Sequence, residues 1–132
     1  MPPTLRERLG RTAIQWDKAN WDESENDTRE AAIAALTTPD FVVPMSLDIP
    51  DRGRDEHTAF QSRYLGEFDV FTASLCDMAI DETKRSVISC GYAYGEKAGR
   101  SYHVEYMHKL ILTDDGLMVK VLDVFKIKEY ES

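Results

Sequence analysis

Hydrophobic and polar positions change period twice along this chain. From Thr4 to about Trp21, Leu5, Leu9, Trp16 and Asn20 recur near helical spacing, with Ile14 and Trp21 alongside, which predicts a first helix. The acidic run DESEND interrupts it as a solvated connection. Asp27 followed by Glu30 then reads as a capping box for a short Ala-rich helix ending near Leu36, stopped by Thr38-Pro39. From Phe41 the pattern is extended: FVVPMSL predicts a short strand interrupted by Pro44, at an edge or a bend. DIPDRGRD is a loop by its Pro and Gly content. Asp55 is placed to cap a third helix running to about Leu65, with His57, Phe60 and Tyr64 on one side.

Strand-like alternation governs the rest. Val70 to Ile80 and Ser86 to Tyr94 predict two strands joined by DETK, and GEKAG leads to a third. That third strand, within YHVEYMHKLILTDDG, is the most informative segment. Tyr102, Val104, Tyr106, His108, Leu110 and Leu112 fall on one face, and His103, Glu105, Met107, Lys109 and Ile111 on the other. The first face is the more apolar and should point inward, carrying Tyr106 and His108 with it. Asp114-Asp115-Gly116 turns into a last strand, roughly Leu117 to Lys128. The order is helix, helix, short strand, helix and a four-strand meander. It predicts an α+β domain spanning 1–132, with helices gathered on one face of a curved, mostly antiparallel sheet. A sheet curved strongly enough and closed by helices leaves a cone too wide for side chains to fill, hence a ligand cavity.

Composition narrows the chemistry. Hydrophobic residues make up 42% and charged residues 30%, an ordinary globular mix, and the net charge is -8. That sign repels phosphate backbones, so neither nucleic acid nor an anionic membrane surface is an expected partner. With no leader pattern and no apolar run long enough to span a bilayer, a cytoplasmic setting is expected. Cys76 and Cys90 have no metal-type spacing and read as reduced thiols. No Gly-rich phosphate loop, metal-ligand cluster or nucleophile-base motif occurs, so neither covalent catalysis nor a metal is expected. Proton movement on a bound hydrophobic molecule remains.

Three segments carry a family resemblance: PMSLDIP followed by DEHTAF, then GRSYHVEY, then LILTDDG leading into VLDVF. In order and spacing they resemble the SnoaL-like members of the NTF2-like superfamily, in particular small fungal isomerases and cyclases of polyketides and meroterpenoids, including tetrahydroxanthone-type isomerases. The resemblance implies a cone-shaped fold, cofactor-independent catalysis and a homodimer. Ketosteroid isomerases share that fold. Counting back from the turn glycine, their protonated acid falls on His108, while their Asp base has no clear equivalent: Pro44 and Met45 occupy its place, and Asp40 is the nearest carboxylate.

The candidate catalytic residues are therefore His108, Asp123 and Asp40. A histidine exchanges protons near neutral pH. Asp123 faces the same cavity by strand parity, and Asp40 opens the first strand, where such relatives carry a polar catalytic residue. Tyr106, Tyr64, Trp16, His57 and Phe125 are the candidate substrate contacts. The leading expectation is an isomerase or cyclase acting by general acid–base transfer on a polycyclic polyketide or meroterpenoid. A dehydratase, an epoxide hydrolase or a non-catalytic ligand- or protein-binding module stands as the alternative. The outer face with His103, Glu105, Met107 and Ile111 is where a dimer contact is expected.

Overall fold

The computed structural model describes residues 1–22, 27–45 and 48–131, with 124–131 described by backbone alone. The elements are α1 (Leu5–Trp21), α2 (Arg29–Leu36), β1 (Thr37–Val42), α3 (Arg54–Gly66), β2 (Val70–Asp81), β3 (Ser86–Lys97), β4 (Arg100–Leu112) and β5 (Met118–Glu131). They form one sheet in the order β1-β5-β4-β3-β2. All pairings are antiparallel except that of β1 with β5. The fold class is the expected α+β, with the helices packed on the inner face of the sheet.

Several local expectations shift. Thr28, not Asp27, stands at the N-cap of α2, and Gly53, not Asp55, at that of α3; neither makes a side-chain cap bond. α1 does carry one, since Thr4 Oγ1 accepts from the Glu7 amide at 3.1 Å. β1 starts at Thr37 and takes Pro39 into its run, which an edge strand tolerates. β3 and β4 run on to a two-residue hairpin in which Ala98 and Gly99 both have positive φ, 53° and 78°. That is the pattern of the tight hairpin turn whose twist matches its strands.

The sheet's inner face decides where space remains. On β4, Val104, Tyr106, His108, Leu110 and Leu112 are buried while His103, Glu105, Met107 and Lys109 are exposed, so the alternation holds as read. On β3, the residues opposite that buried face are Val87, Ser89, Gly91, Ala93 and Gly95, mostly small. Tyr92 and Tyr94 therefore belong to the outer face. A Cβ at Gly91 would lie 2.3 Å from the Ser74 carbonyl oxygen and 2.5 Å from Tyr106 Oη. One at Gly95 would lie 2.6 Å from the Phe68 ring. The small face of β3 thus admits large aromatic rings from neighbouring elements. Cys76 is skipped in the β2–β3 register, between Leu75 and Asp77, as in a β-bulge that bends an edge strand.

Among the described residues, two hydrophobic clusters result. One, of Leu9, Ala13, Trp16, Ile33, Phe41, Val87, Leu110, Met118, Val121 and neighbours, is mostly aliphatic. The other gathers Trp21, Leu65, Phe71, Ala93, Val104 and Tyr106, with Tyr64 and Phe68 against it. Where α1 ends, its carbonyls need donors. Buried Arg29 supplies them, with Nε on Ala19 O at 2.8 Å and an Nη on Asp22 O at 2.9 Å. Gln61 of α3 donates to Asn20 O at 2.8 Å. These bonds tie α1, α2 and α3 into one frame over the sheet.

Candidate active site

A cavity of about 510 Å³ opens between α3, the chain around Val43–Met45 and β5. Its apolar wall is Trp21, Val43, Pro44, Met45, Phe60 and Tyr64; its polar groups are Arg52, His57, Gln61 and Asp123. Apolar walls with a few convergent polar groups are the usual make-up of a small-molecule site.

Asp123 enters from β5, where it pairs in register with His108 of β4. His108 Nδ1–H donates to Asp123 Oδ1 at 2.5 Å. The histidine is 4% exposed and the carboxylate 19% in their side chains. His108 therefore stands behind Asp123, which itself lines the cavity. A charge-assisted bond of this length fixes the carboxylate's orientation.

Arg52 is held by a two-way backbone bridge: Val43 N–H to Arg52 O at 2.7 Å, and Arg52 N–H to Val43 O at 3.0 Å. Its guanidinium lies 3.6 Å over the Phe60 ring centroid, a cation–π contact. Partial burial lowers its pKa while the nearby Asp123 charge raises it. An arginine remains protonated regardless, so Arg52 brings a positive charge to the cavity that holds the Asp123 carboxylate.

His57 is 4% exposed and stacks on Trp16, with ring centroids 5.1 Å apart and 18° between planes. Its Nε2 meets Asn20 Oδ1 at 2.6 Å. Asn20 Nδ2 donates to Trp16 O at 2.7 Å, so Oδ1 is the acceptor and Nε2 carries the proton. Nδ1 is left as a buried lone pair with no partner among the described residues. Burial pulls the pKa down to about 4, with Arg52 and His108 opposing the charged form and Asp123 favouring it. His57 is thus a neutral acceptor at pH 7.

The remaining candidates divide. Tyr64 lines the cavity; Trp16 is buried in the aliphatic cluster and reaches the site only through His57. Tyr106 does not reach the cavity wall. Its Oη donates to Asp17 Oδ2 at 3.2 Å, and burial together with Asp17 raises its pKa. Asp40 calls for a correction: it is exposed and accepts from Thr38 Oγ1 at 2.7 Å. Strand alternation turns Phe41 inward and Asp40 outward. The Phe125 side chain lies outside the described residues, though its backbone pairs with Tyr106.

Sequence reasoning missed Arg52, Gln61, Asn20 and Asp17. Asp17 carried a usable signal, since it stands four residues before Trp21 and so shares a helix face with an aromatic wall. Among the described residues, no three His, Cys, Asp or Glu side chains are grouped to hold a metal, and no helix is long and apolar enough to cross a membrane.

No family model and no curated protein matches the chain. Solved structures do. BvnE pinacolase from Penicillium brevicompactum superposes with a TM-score of 0.74 at 23% identity, over 96% of this chain and 88% of that one. AusH from Aspergillus nidulans gives 0.71 at 21% identity, over 95% and 87%. A protein from Jannaschia sp. named as a SnoaL-like polyketide cyclase gives 0.75 at 13% identity, over 96% and 90%. The chain has the SnoaL-like form of the NTF2-like fold.

Proposed function

We propose that the protein is a cofactor-independent isomerase or cyclase that moves a proton on a polycyclic polyketide or meroterpenoid bearing a phenol or enol. The observation that carries this reading is the Asp123 carboxylate, braced by His108 and lining an apolar cavity that it shares with Arg52. Asp123 removes the proton α to a ring carbonyl, and the C–H electron pair moves into the carbonyl to leave an enolate. Arg52 supplies positive charge where that oxygen becomes negative. His57 Nδ1 and Gln61 are available to a substrate hydroxyl or carbonyl. Delivery of a proton to the enolate oxygen completes a keto–enol isomerisation, and return of the proton from Asp123 to a remote carbon of an extended enolate shifts the double bond. Attack of the enolate on a conjugated acceptor in the same molecule, followed by that protonation, closes a ring instead. Proton transfer of this kind supplies about 10²–10⁴-fold; holding the substrate in a reactive shape supplies much of the rest. That proteins of this fold bear the names pinacolase and SnoaL-like polyketide cyclase supports the class, by analogy of fold.

The proposed assembly is a homodimer through the outer sheet face. Ile88, Tyr92, Met107 and Leu122 are exposed there, beside His103 and Glu105. The free thiols Cys76 and Cys90 suit a reducing, cytoplasmic setting.

The test is incubation with cyclic polyketide and meroterpenoid intermediates in deuterated water, with products followed by chromatography and mass detection. The reading expects an unchanged skeleton and one new carbon-bound deuterium. Loss of water would point to a dehydratase and gain of water to an epoxide hydrolase. Tight binding with no conversion would point to a carrier.

A further inference from the structure

Two cavities meet at one side chain. The Arg52–Asp123 cavity and a second cleft of about 480 Å³, between α1 and β2, both have Trp21 in their walls. The second cleft is walled by Ile14, Phe71, Ala73 and Leu75, and Asp17 lines it. Trp21 lies as a plate on Phe71, with centroids 5.5 Å apart and 19° between planes, and against Tyr106 and His108 at 5.4 and 6.4 Å. It is the last residue of α1, where the helical hydrogen-bond ladder gives out.

One group in the lining of each cavity is held at a cost. Asp17 is 8% exposed; Oδ2 accepts from Tyr106, while Oδ1 is buried with no partner among the described residues. On the cavity side, buried His57 Nδ1 is in the same condition. A buried polar atom without a partner costs stability, and one in the lining of each cavity calls for an explanation. A second state of the site, in which a ligand meets them, supplies it.

We propose that Trp21 is a removable partition: an elongated ligand displaces its indole, joins the two cavities into one channel and sets a hydroxyl on Asp17. A hydroxyl suits Asp17 in either protonation state, since it donates to a carboxylate and accepts from a carboxylic acid. Phe71, Ala73 and Leu75 ask for a flat apolar body between the two ends. The ligand class is therefore a fused-ring molecule with a hydroxyl at the end remote from its reacting carbonyl. The proposal rests on the Arg52–Asp123 cavity being the substrate site, and its test reads binding rather than turnover.

The probes are 2-naphthol, short enough for one cavity, and estradiol, a rigid four-ring body with a hydroxyl at each end. Both are titrated into protein labelled with 5-fluorotryptophan, the Trp21 fluorine resonance being assigned with Trp21→Phe. Estradiol, which displaces the indole, should move that resonance further than 2-naphthol, which only lies against it. Trp21→Ala should tighten estradiol about tenfold, because displacing the indole no longer reduces its affinity, and should not tighten 2-naphthol, which loses a wall contact. Asp17→Ala should weaken estradiol and spare 2-naphthol. Estradiol bound with the Trp21 resonance unmoved, equal changes for both probes in Trp21→Ala, or no estradiol binding to either form would overturn the proposal. If Trp21→Ala does not fold, the fluorine measurement on the native sequence decides alone. Deuterium exchange, which tests the proton-transfer reading, can succeed or fail without moving these results.

Discussion

The two hydrophobic clusters of this protein are built to opposite rules. Around Leu9, Ile33, Val87, Leu110 and Val121 the interior is mostly aliphatic, and these five are 0% exposed. Around Trp21, Phe71 and Tyr106 the rings are aromatic, and Asp17 and His108 are buried among or beside them. Close-packed aliphatic side chains carry stability and have no chemistry. Aromatic plates leave flat gaps into which polar atoms project, and such atoms are worth burying only where something uses them. The molecule spends one cluster on holding its shape and the other on a site.

That contrast can be broken in graded steps. Leu110→Ala, in the aliphatic cluster, should cost about 2–5 kcal/mol of stability by denaturant titration, with activity per folded molecule unchanged. A large loss of specific activity in the folded variant would erase the division.

pH should act through His57, which stands between Trp16 and the cavity. The His57 pKa is about 4 in the folded protein, against about 6.5 when unfolded. Between those values the unfolded chain binds the extra proton. Stability from this group is therefore complete above pH 6.5 and is lost as pH falls towards 4, by about 3 kcal/mol in all. Thermal melts of His57→Gln should lack that dependence; an unchanged profile would place the titration elsewhere.

Gly91→Ala should cost about 1–3 kcal/mol through overpacking, since backbone at Ser74 and the Tyr106 hydroxyl both stand in the way. A neutral effect would show that β3 yields more easily than its register implies. The smallest effect belongs to the outer face. Tyr92 is 60% exposed, so Tyr92→Ser should alter monomer stability by less than about 0.5 kcal/mol. The same change should weaken association in sedimentation if the proposed dimer uses that face.

What was legible in the sequence followed from period. The two faces of β4 were readable because alternation is strict and Tyr106 and His108 ride with Val104 and Leu110. The same parity placed Asp123 with His108, which the register confirms. What depended on non-local pairing was not readable. Arg52 sits in a segment whose composition says only loop, and the bridge to Val43 is what brings it to the cavity. Asp40 was misplaced because the strand begins at Thr37, so that Phe41 takes the inward position. Spacing puts Asp17 on the Trp21 face of α1, but only the fold brings Tyr106 to it. His57 stands near a helix start, and Trp16 and Asn20 of another helix meet it there, a contact that no local pattern shows.

The most direct test of the account compares Asp123→Asn with Leu110→Ala in the deuterium-incorporation assay, each at matched folded fraction. Asp123→Asn should keep a cooperative fold and lose about 10²–10⁴-fold in exchange rate, while Leu110→Ala keeps its rate. Near-native exchange by a folded Asp123→Asn would contradict the claim that this carboxylate moves the proton.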